Sequence, residues 1–289
     1  MILTVRRLLL PLLAIALLAG MTGCATSLVY DRADRLTSRW VSGHVELDTA
    51  QQDALDARLA ELHAWHRREQ LPLYADWLRA AAARLGDEAP LSVEELQAFG
   101  AELGVFGRAL ASAGVPLLAR VGADLEDVQV TALLAGLRDQ QEQDHAAALR
   151  RAETWHQQRR ARSMERFLRR FTGRLTDGQR AAIMTWSAEL APTRAAAHDN
   201  RAGWVDDLEA ALARRQDTEA LLAAAEVLFA RPADRWSPEY AALIERNSAA
   251  TTAFLADFLA GLEDRQRERA ADRLRRLAVE LDQLAHEAG

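Results

Sequence analysis

Residues Ser92 to Leu110 read SVEELQAFGAELGVFGRAL, and this stretch indicates how the chain folds. It begins with Ser92 and Glu95 at the spacing of a capping box, in which two side chains satisfy free N–H groups at the start of a helix. Large apolar residues then recur at intervals of three and four, which places them on one face of an α-helix. These residues are Leu96, Phe99, Leu103, Phe106 and Leu110.

The same pattern continues along most of the chain. Capping boxes begin at Asp48 and Thr176, and the signals of β-structure, period-2 alternation and Asn-Gly turns, do not occur. We therefore expect an all-α fold, an elongated multi-helix bundle, with kinks or breaks at Pro72, Pro116 and Pro192. The expected helices span about 28–42, 49–71, 73–85, 92–121, 125–171, 177–190, 193–214, 217–230, 238–260 and 264–287.

The expected helix at about 125–171 is much longer than the others and would connect two parts of the protein. At ~1.5 Å per residue it would extend roughly 70 Å. Its middle, Arg138 to Asp144, reads RDQQEQD and has no large apolar residue. A helix that is polar on all sides either bridges solvent between domains or is not stable as a helix. We therefore expect an N-terminal helical half, 30–140, and a C-terminal helical half, 141–289.

The N-terminal segment has the features of a secretory signal peptide. Arg6 and Arg7 precede an apolar run from Leu8 to Leu18, which is shorter than the ~20 residues needed to span a bilayer. Small residues follow this run. The order of basic, apolar and small residues predicts a signal peptide over residues 1–23.

Cys24, the single cysteine of the chain, follows this segment directly. The surrounding residues resemble the lipobox of bacterial lipoproteins, although Met21 stands where that family usually has Leu. The resemblance implies that Cys24 carries a lipid anchor and that the chain is cut before it. Ala25 at the next position implies sorting to the outer membrane, facing the periplasm. Residues 24–29 then form a tether that reaches under ~20 Å, so the fold should lie against the membrane.

The composition limits the classes of function. The formal net charge is −6, and lysine does not occur, so every strong base is an arginine. An acidic chain outside the cytoplasm is not suited to nucleic acid. With Cys24 acylated, no thiol remains for a disulfide, a thiolate metal site or a nucleophile. Nucleotide-binding and acyl-transfer motifs do not occur, so we expect no cofactor and no enzymatic activity.

A basic segment in this acidic chain, Gln157 to Arg174, is the strongest candidate for binding a partner. Its arginines cover more than one helical face and alternate with apolar residues. Such a helix suits anionic headgroups or acidic peptides, although a solvated face paired with acidic helices gives the same pattern. The candidate residues are Arg159, Arg162, Arg166, Arg169 and Arg170.

Two further patterns have an ordinary structural explanation. His63, His66 and Glu69 lie close to one helical face, but the spacing is not that of a zinc-binding H-E-x-x-H motif, and we expect a polar, ion-paired face without metal. A stripe of small residues runs from Gly100 to Gly114. Close packing within the fold is the expected reason for it, and a membrane-inserting seam is the alternative.

Three helix starts share the pattern Leu-x-x-x-Gln, at Leu47, at Leu175 and, more weakly, at Leu262. The pattern is similar to the LTxxQ motif of Spy-type periplasmic chaperones, although a capping box after an apolar residue gives the same letters. Longer segments resemble an uncharacterised family of proteobacterial helical lipoproteins, a resemblance that brings no catalytic residues. These segments are Tyr30 to Asp34, Trp40, VELDTAQ (45–51), HAWHRREQLPLYA (63–75), RLTDGQR (174–180) and WSPEYAALIERN (236–247).

Three functions remain open from the sequence. The first is a non-enzymatic outer-membrane lipoprotein that binds a protein or envelope partner. The second is an ATP-independent periplasmic chaperone that holds unfolded clients. The third is a metal-dependent enzyme, for which His63, His66 and Glu69 would be the residues to test. The oligomeric state does not follow from the sequence.

Overall fold

The structure is a computed structural model that describes residues 30, 32–87 and 89–286, so the predicted signal peptide, Cys24 and the predicted tether lie outside the described residues. The described part is helical and contains no β-strand, which confirms the all-α prediction. The α-helices are α1 (Ala33–Ser42), α2 (Thr49–Trp65), α3 (Leu71–Gly86), α4 (Val93–Asp124), α5 (Asp127–Leu149), α6 (Glu153–Thr172), α7 (Asp177–Glu189), α8 (Arg194–Ala213), α9 (Thr218–Ala225), α10 (Pro238–Ala260) and α11 (Asp264–His286). Short turns add π-helix at His66–Gln70 and Glu226–Ala230 and 3₁₀-helix at Pro232–Arg235.

Capping boxes fix where several helices begin, as the sequence predicts. At the start of α4, Ser92 Oγ accepts a hydrogen bond from the Glu95 backbone N–H at 3.1 Å, and Glu95 Oε2 accepts one from the Ser92 N–H at 2.8 Å. The same reciprocal pair occurs at Asp48 before α2 and at Thr176 before α7. Each box satisfies two N–H groups that would otherwise have no partner.

The prediction of a single helix over about 125–171 is wrong, because the helix ends at Leu149 and a new helix begins at Glu153. Ala152 takes an extended backbone conformation there, with φ −62° and ψ 153°. The break has a packing reason: α5 lies against α8, whereas α6 lies against α7 and α11. The longest described helix is α4, whose 32 residues extend about 48 Å.

The three prolines act in three different ways. Pro192 lies in the gap between α7 and α8, as predicted. At Pro72 the prediction of an interruption is correct in part, because the π-helical turn His66–Gln70 comes just before it and the chain then continues as α3. A π-helical turn changes the backbone hydrogen-bond register, which is one way to place a proline without ending a helix. Helix α4 continues through Pro116 without a break.

Three larger apolar cores, together with two smaller ones around Leu110 and Leu55, hold the described helices together. One lies between α4, α5, α8 and α9 around Trp204, and a second lies between α6, α7, α10 and α11 around Ile183. The third joins Tyr30 and α3 to α11, and in it Tyr30 is fully buried against α3 residues and Leu281. The predicted boundary near residue 140 lies inside α5, and the third core contains residues from both sides of that boundary.

Candidate functional site

The five candidate arginines lie on α6, and all five are exposed. At 100° per residue they fall within about 100° of the helix circumference, so they form one stripe rather than the several faces expected. The opposite side of α6 is buried through Ala161, Leu168 and Thr172. Burial of that side fixes the helix and directs the arginines outward. We call this surface the arginine stripe: Arg159, Arg162, Arg166, Arg169 and Arg170.

The arginine stripe carries a local excess of positive charge. Residues 151–174 contain eight arginines and two glutamates, a net charge of +6 in a chain of net charge −6. Glu165 lies 4.0 Å from Arg169, at the limit of a salt bridge. Among the described residues, no carboxylate lies within salt-bridge distance of the other four arginines. The acidic helices expected as partners therefore do not cover this surface.

Aromatic side chains border the arginine stripe. The guanidinium groups of Arg151 and Arg159 lie over the Trp155 ring, 5.2 and 5.3 Å from its centroid. Phe167 on the same helix is 48% exposed. A guanidinium group over an indole ring makes a cation–π contact that restrains its position. The surface therefore combines exposed cations, of which Trp155 restrains Arg159, with apolar contact area.

The π-helical turn His66–Gln70 places polar side chains in the protein interior. His66 is fully buried, and its Nδ1 lies 2.7 Å from the Tyr30 hydroxyl. The His63 ring lies 4.6 Å from the Tyr30 ring, and the Tyr74 ring meets His66 edge-on at 5.4 Å. π-Helical turns are frequent at functional sites. Here the turn directs His66 inward, where Tyr30 and Tyr74 surround it.

Burial sets the protonation state of this cluster. Desolvation, with a smaller contribution from nearby His63, lowers the pKa of His66 to about 4. The imidazole is therefore neutral at pH 7, and one hydrogen bond joins its Nδ1 atom to the Tyr30 hydroxyl. The Nε2 atom of His66 and the Tyr74 hydroxyl are buried without a hydrogen-bond partner among the described residues.

The candidate metal residues do not come together. Glu69 is exposed and accepts a hydrogen bond from the Trp65 indole N–H at 2.8 Å, whereas His66 faces inward to Tyr30. Within the described residues, no group of three or more histidine, cysteine or acidic side chains could hold a metal ion. The structure therefore offers no reason to propose a metal centre at these residues.

Two of the Leu-x-x-x-Gln motifs meet in space. Gln179 Nε2 donates to Gln266 Oε1 at 2.7 Å, and Gln266 Nε2 donates back to Gln179 Oε1 at 3.0 Å. Gln266 Nε2 also donates to the Arg174 carbonyl at 2.8 Å. Each glutamine Oε1 in addition accepts a hydrogen bond from the N–H before its own helix. This amide pair, the Gln179–Gln266 clamp, fixes the start of α7 to the start of α11.

The same arrangement occurs a second time, through a motif that the sequence analysis missed. Leu125 to Gln129 is a fourth helix start with the pattern Leu-x-x-x-Gln, and Gln129 Nε2 donates to Gln51 Oε1 at 2.8 Å. Gln51 Nε2 donates to Gln129 Oε1 at 3.1 Å and to the Asp124 carbonyl at 2.6 Å. The sequence contains this pattern at the start of the helix predicted for about 125–171. The four motifs thus form two clamps of the same design.

The glycine stripe of α4 is not packed as expected. A Cβ atom added at Gly100 or Gly107 would meet nothing within 4 Å, and at Gly104 it would meet the Arg108 side chain. Gly114 faces Leu62 at 3.9 Å. Close helix packing therefore explains none of the first three glycines. The physical reason is that the N-terminal half of α4 lies at the surface of the fold.

One described helix, α4, is long and apolar enough to cross a membrane by length and composition. Its most apolar window has a mean hydropathy of 1.2, and 22% of that window is buried. Core helices of soluble proteins pass the same criterion, and the C-terminal half of α4 contributes Ala111 and Val115 to a core. The criterion alone therefore does not assign α4 to a membrane.

The DUF6279 family model, described as a family of unknown function, matches residues 43–241. The chain belongs to this family. The DUF6279 match includes the arginine stripe and the Gln51–Gln129 pair and ends before α11. It agrees with the expectation of an uncharacterised domain family. No curated protein and no solved structure matches the chain.

Proposed function

We propose that the protein is a non-enzymatic, lipid-anchored binding protein on the periplasmic face of the bacterial outer membrane. Its arginine stripe would bind an anionic protein or envelope partner. The observation that supports this proposal is the set of five exposed guanidinium groups on one side of α6, four of them without a carboxylate within salt-bridge distance among the described residues. Guanidinium groups pair with phosphate and carboxylate in bidentate fashion, so both partner types fit the surface.

The anchor is tested through Cys24. Cys24→Ser removes the thiol that would receive the lipid, and the variant is expected to remain an unprocessed precursor without the acyl modification. Mass spectrometry of the N-terminal peptide and fractionation of the envelope measure both effects. Normal processing of the variant, with unchanged distribution in the outer membrane, would refute the anchor.

The binding role of the arginine stripe is tested by a matched pair of variants of the chain from Ala25 to Gly289. One variant replaces Arg159, Arg162, Arg166 and Arg170 with Gln. Its control makes the same change at four arginines that have a nearby acidic partner, Arg58, Arg120, Arg231 and Arg275, and so loses the same charge. The probes are phosphatidylglycerol-containing vesicles and a poly-glutamate peptide. Equal binding by both variants, or no binding by the parent chain, would contradict the proposal.

A second candidate is the ATP-independent chaperone, and one groove favours it. A groove of about 660 Å³ lies between α7 and α10 beside Gln179 of the Gln179–Gln266 clamp, and Trp186, Phe254 and Phe258 line it. Such a groove, with both apolar and polar side chains in its lining, offers contact area to an extended client segment. We expect a chaperone to suppress aggregation of a chemically denatured client at stoichiometric amounts without ATP. Aggregation at the rate of the client alone, with the protein shown to be helical, would exclude this function.

A further inference from the structure

Beside the core between α4, α5, α8 and α9 lies a partly open pocket, with a cavity volume of about 140 Å³. Its wall is apolar almost throughout and includes Leu133, Leu137, Trp204 and Leu228. The Trp204 indole N–H donates to the Leu228 carbonyl at 3.1 Å, so the polar atom of this ring is already satisfied. A water molecule in this pocket would find almost no hydrogen-bond partner in the wall, so an apolar group can displace it at little cost. The cavity is therefore suited to an apolar guest.

Small side chains create the cavity. Ala119, Ala211 and Ala225 line it on three different helices, and each is at most 5% exposed. Packing is tight at Gly122 of α4, because a Cβ added there would lie 3.2 Å from the Leu212 Cδ2 atom. The free volume therefore borders the three alanines, including Ala119 one turn earlier on α4.

One end of the cavity reaches the surface. Trp40 and His44, from the end of α1 and the segment after it, line that end; Trp40 is partly exposed and His44 is exposed. The two rings are tilted by 35° with centroids 4.1 Å apart, and His44 Nδ1–H donates a hydrogen bond to the Trp40 carbonyl at 2.8 Å. Amphipathic rings of this kind suit a boundary between an apolar and an aqueous region. A guest can therefore place its hydrocarbon part inside and leave a polar end in solvent.

We infer that this cavity is a binding site for the hydrocarbon end of an amphiphile, an alkyl chain of about six carbon atoms. A cavity of this volume accommodates benzene, which has six carbon atoms, so we expect an alkyl chain of about six carbons to fill the pocket. Two sources share this chemistry, a free fatty acid and the acyl chain of a lipid. The inference does not depend on the anchor at Cys24 or on the arginine stripe.

A chain-length series tests the inference directly. The chain from Ala25 to Gly289, which keeps every described helix, is titrated with butanoate, hexanoate, octanoate and decanoate by calorimetry. Each buried methylene raises affinity about fourfold until the cavity is full, so affinity should rise to about hexanoate and then level off. Affinity that does not depend on chain length, or that rises steadily to decanoate, would overturn the inference.

Matched variants locate the site. Ala211→Leu fills the cavity and should weaken hexanoate binding at least tenfold while raising the Tm of the free protein. Its control, Ala210→Leu, adds the same side chain at the exposed neighbouring position of α8 and should leave binding unchanged. Ala225→Leu repeats the test from α9, in case Ala211→Leu disturbs folding. Undiminished binding in folded filled variants, or a Tm that both filling substitutions lower, would show that the void is not the site.

A short-chain lipid distinguishes the two sources. Dihexanoylphosphatidylcholine below its micelle concentration presents the same six-carbon chain on a bulky headgroup. Binding of this lipid at an affinity similar to hexanoate, lost in Ala211→Leu, supports a membrane lipid as the source. Binding of hexanoate alone, also lost in Ala211→Leu, supports a free fatty acid. Binding of neither compound overturns the inference.

Discussion

Removing one glutamine of the Gln179–Gln266 clamp should destabilise the protein by much more than a surface substitution. Gln266 is 4% exposed, and its side chain makes hydrogen bonds with Gln179, with the Arg174 carbonyl and with the Glu263 N–H. Each neutral hydrogen bond contributes about 1 kcal/mol, and a buried partner left unsatisfied costs about 1–3 kcal/mol. Because Gln266→Ala leaves the buried Gln179 amide without its partner, we expect a loss of about 3–4 kcal/mol.

A double-mutant cycle checks this reasoning. Gln179→Ala, Gln266→Ala and the double variant are unfolded in urea and followed by far-UV circular dichroism. Once Gln266 is gone, the second substitution removes an orphaned amide, so the double variant should be more stable than the sum of the two losses predicts, by about 1–2 kcal/mol. Gln129→Ala, in the less buried clamp, should cost less because water can replace the lost partner. A loss below about 1 kcal/mol for Gln266→Ala, with strictly additive effects, would refute the reciprocal clamp.

Three further predictions follow from the structure. Because the pKa of His66 is lower in the folded chain than in the unfolded one, stability is lost as pH falls from 6.5 toward 4, and His66→Gln should reduce the loss between pH 7 and pH 4.5 by about 2.5 kcal/mol in urea titrations. Gly107→Ala should raise the Tm by a few degrees because its Cβ meets open space in a helix, whereas Gly173→Ala should lower it because φ there is +81°. Replacing four residues of the arginine stripe should weaken vesicle binding by roughly 1,000-fold at low salt, at about 1 kcal/mol each, and vesicle sedimentation measures the loss.

Local sequence signals predicted most helix starts. Asp48, Ser92, Thr176 and Ser237 each precede a helix because their side chains cap it, and such caps depend on residues within one turn. The break at Leu149 could not be predicted in the same way. No proline or glycine marks it, and the chain turns there because α5 and α6 pack against different helices.

For the candidate sites too, local sequence patterns were predictable, whereas features that depend on contacts between distant residues were not. The arginine stripe was visible in the sequence, but its single face and its lack of acidic partners depend on which side of α6 is buried. The burial of His66 was not predictable, because its partner Tyr30 lies 36 residues earlier. The apolar pocket forms where alanines from three helices lie close together. These alanines are far apart in the sequence, so no local sequence pattern predicts the pocket.

The burial of Tyr30 against the last helix has a consequence for how the chain is made. Tyr30 and α3 are synthesised early. The residues that complete their core, Leu277 and Leu281, are synthesised more than 190 residues after the end of α3. A growing chain therefore carries an uncovered apolar face on Leu71 and Leu78 until α11 has been synthesised. A stop codon before Asp264 would remove all of α11 and leave that face uncovered, so such truncations should yield a protein that proteases degrade.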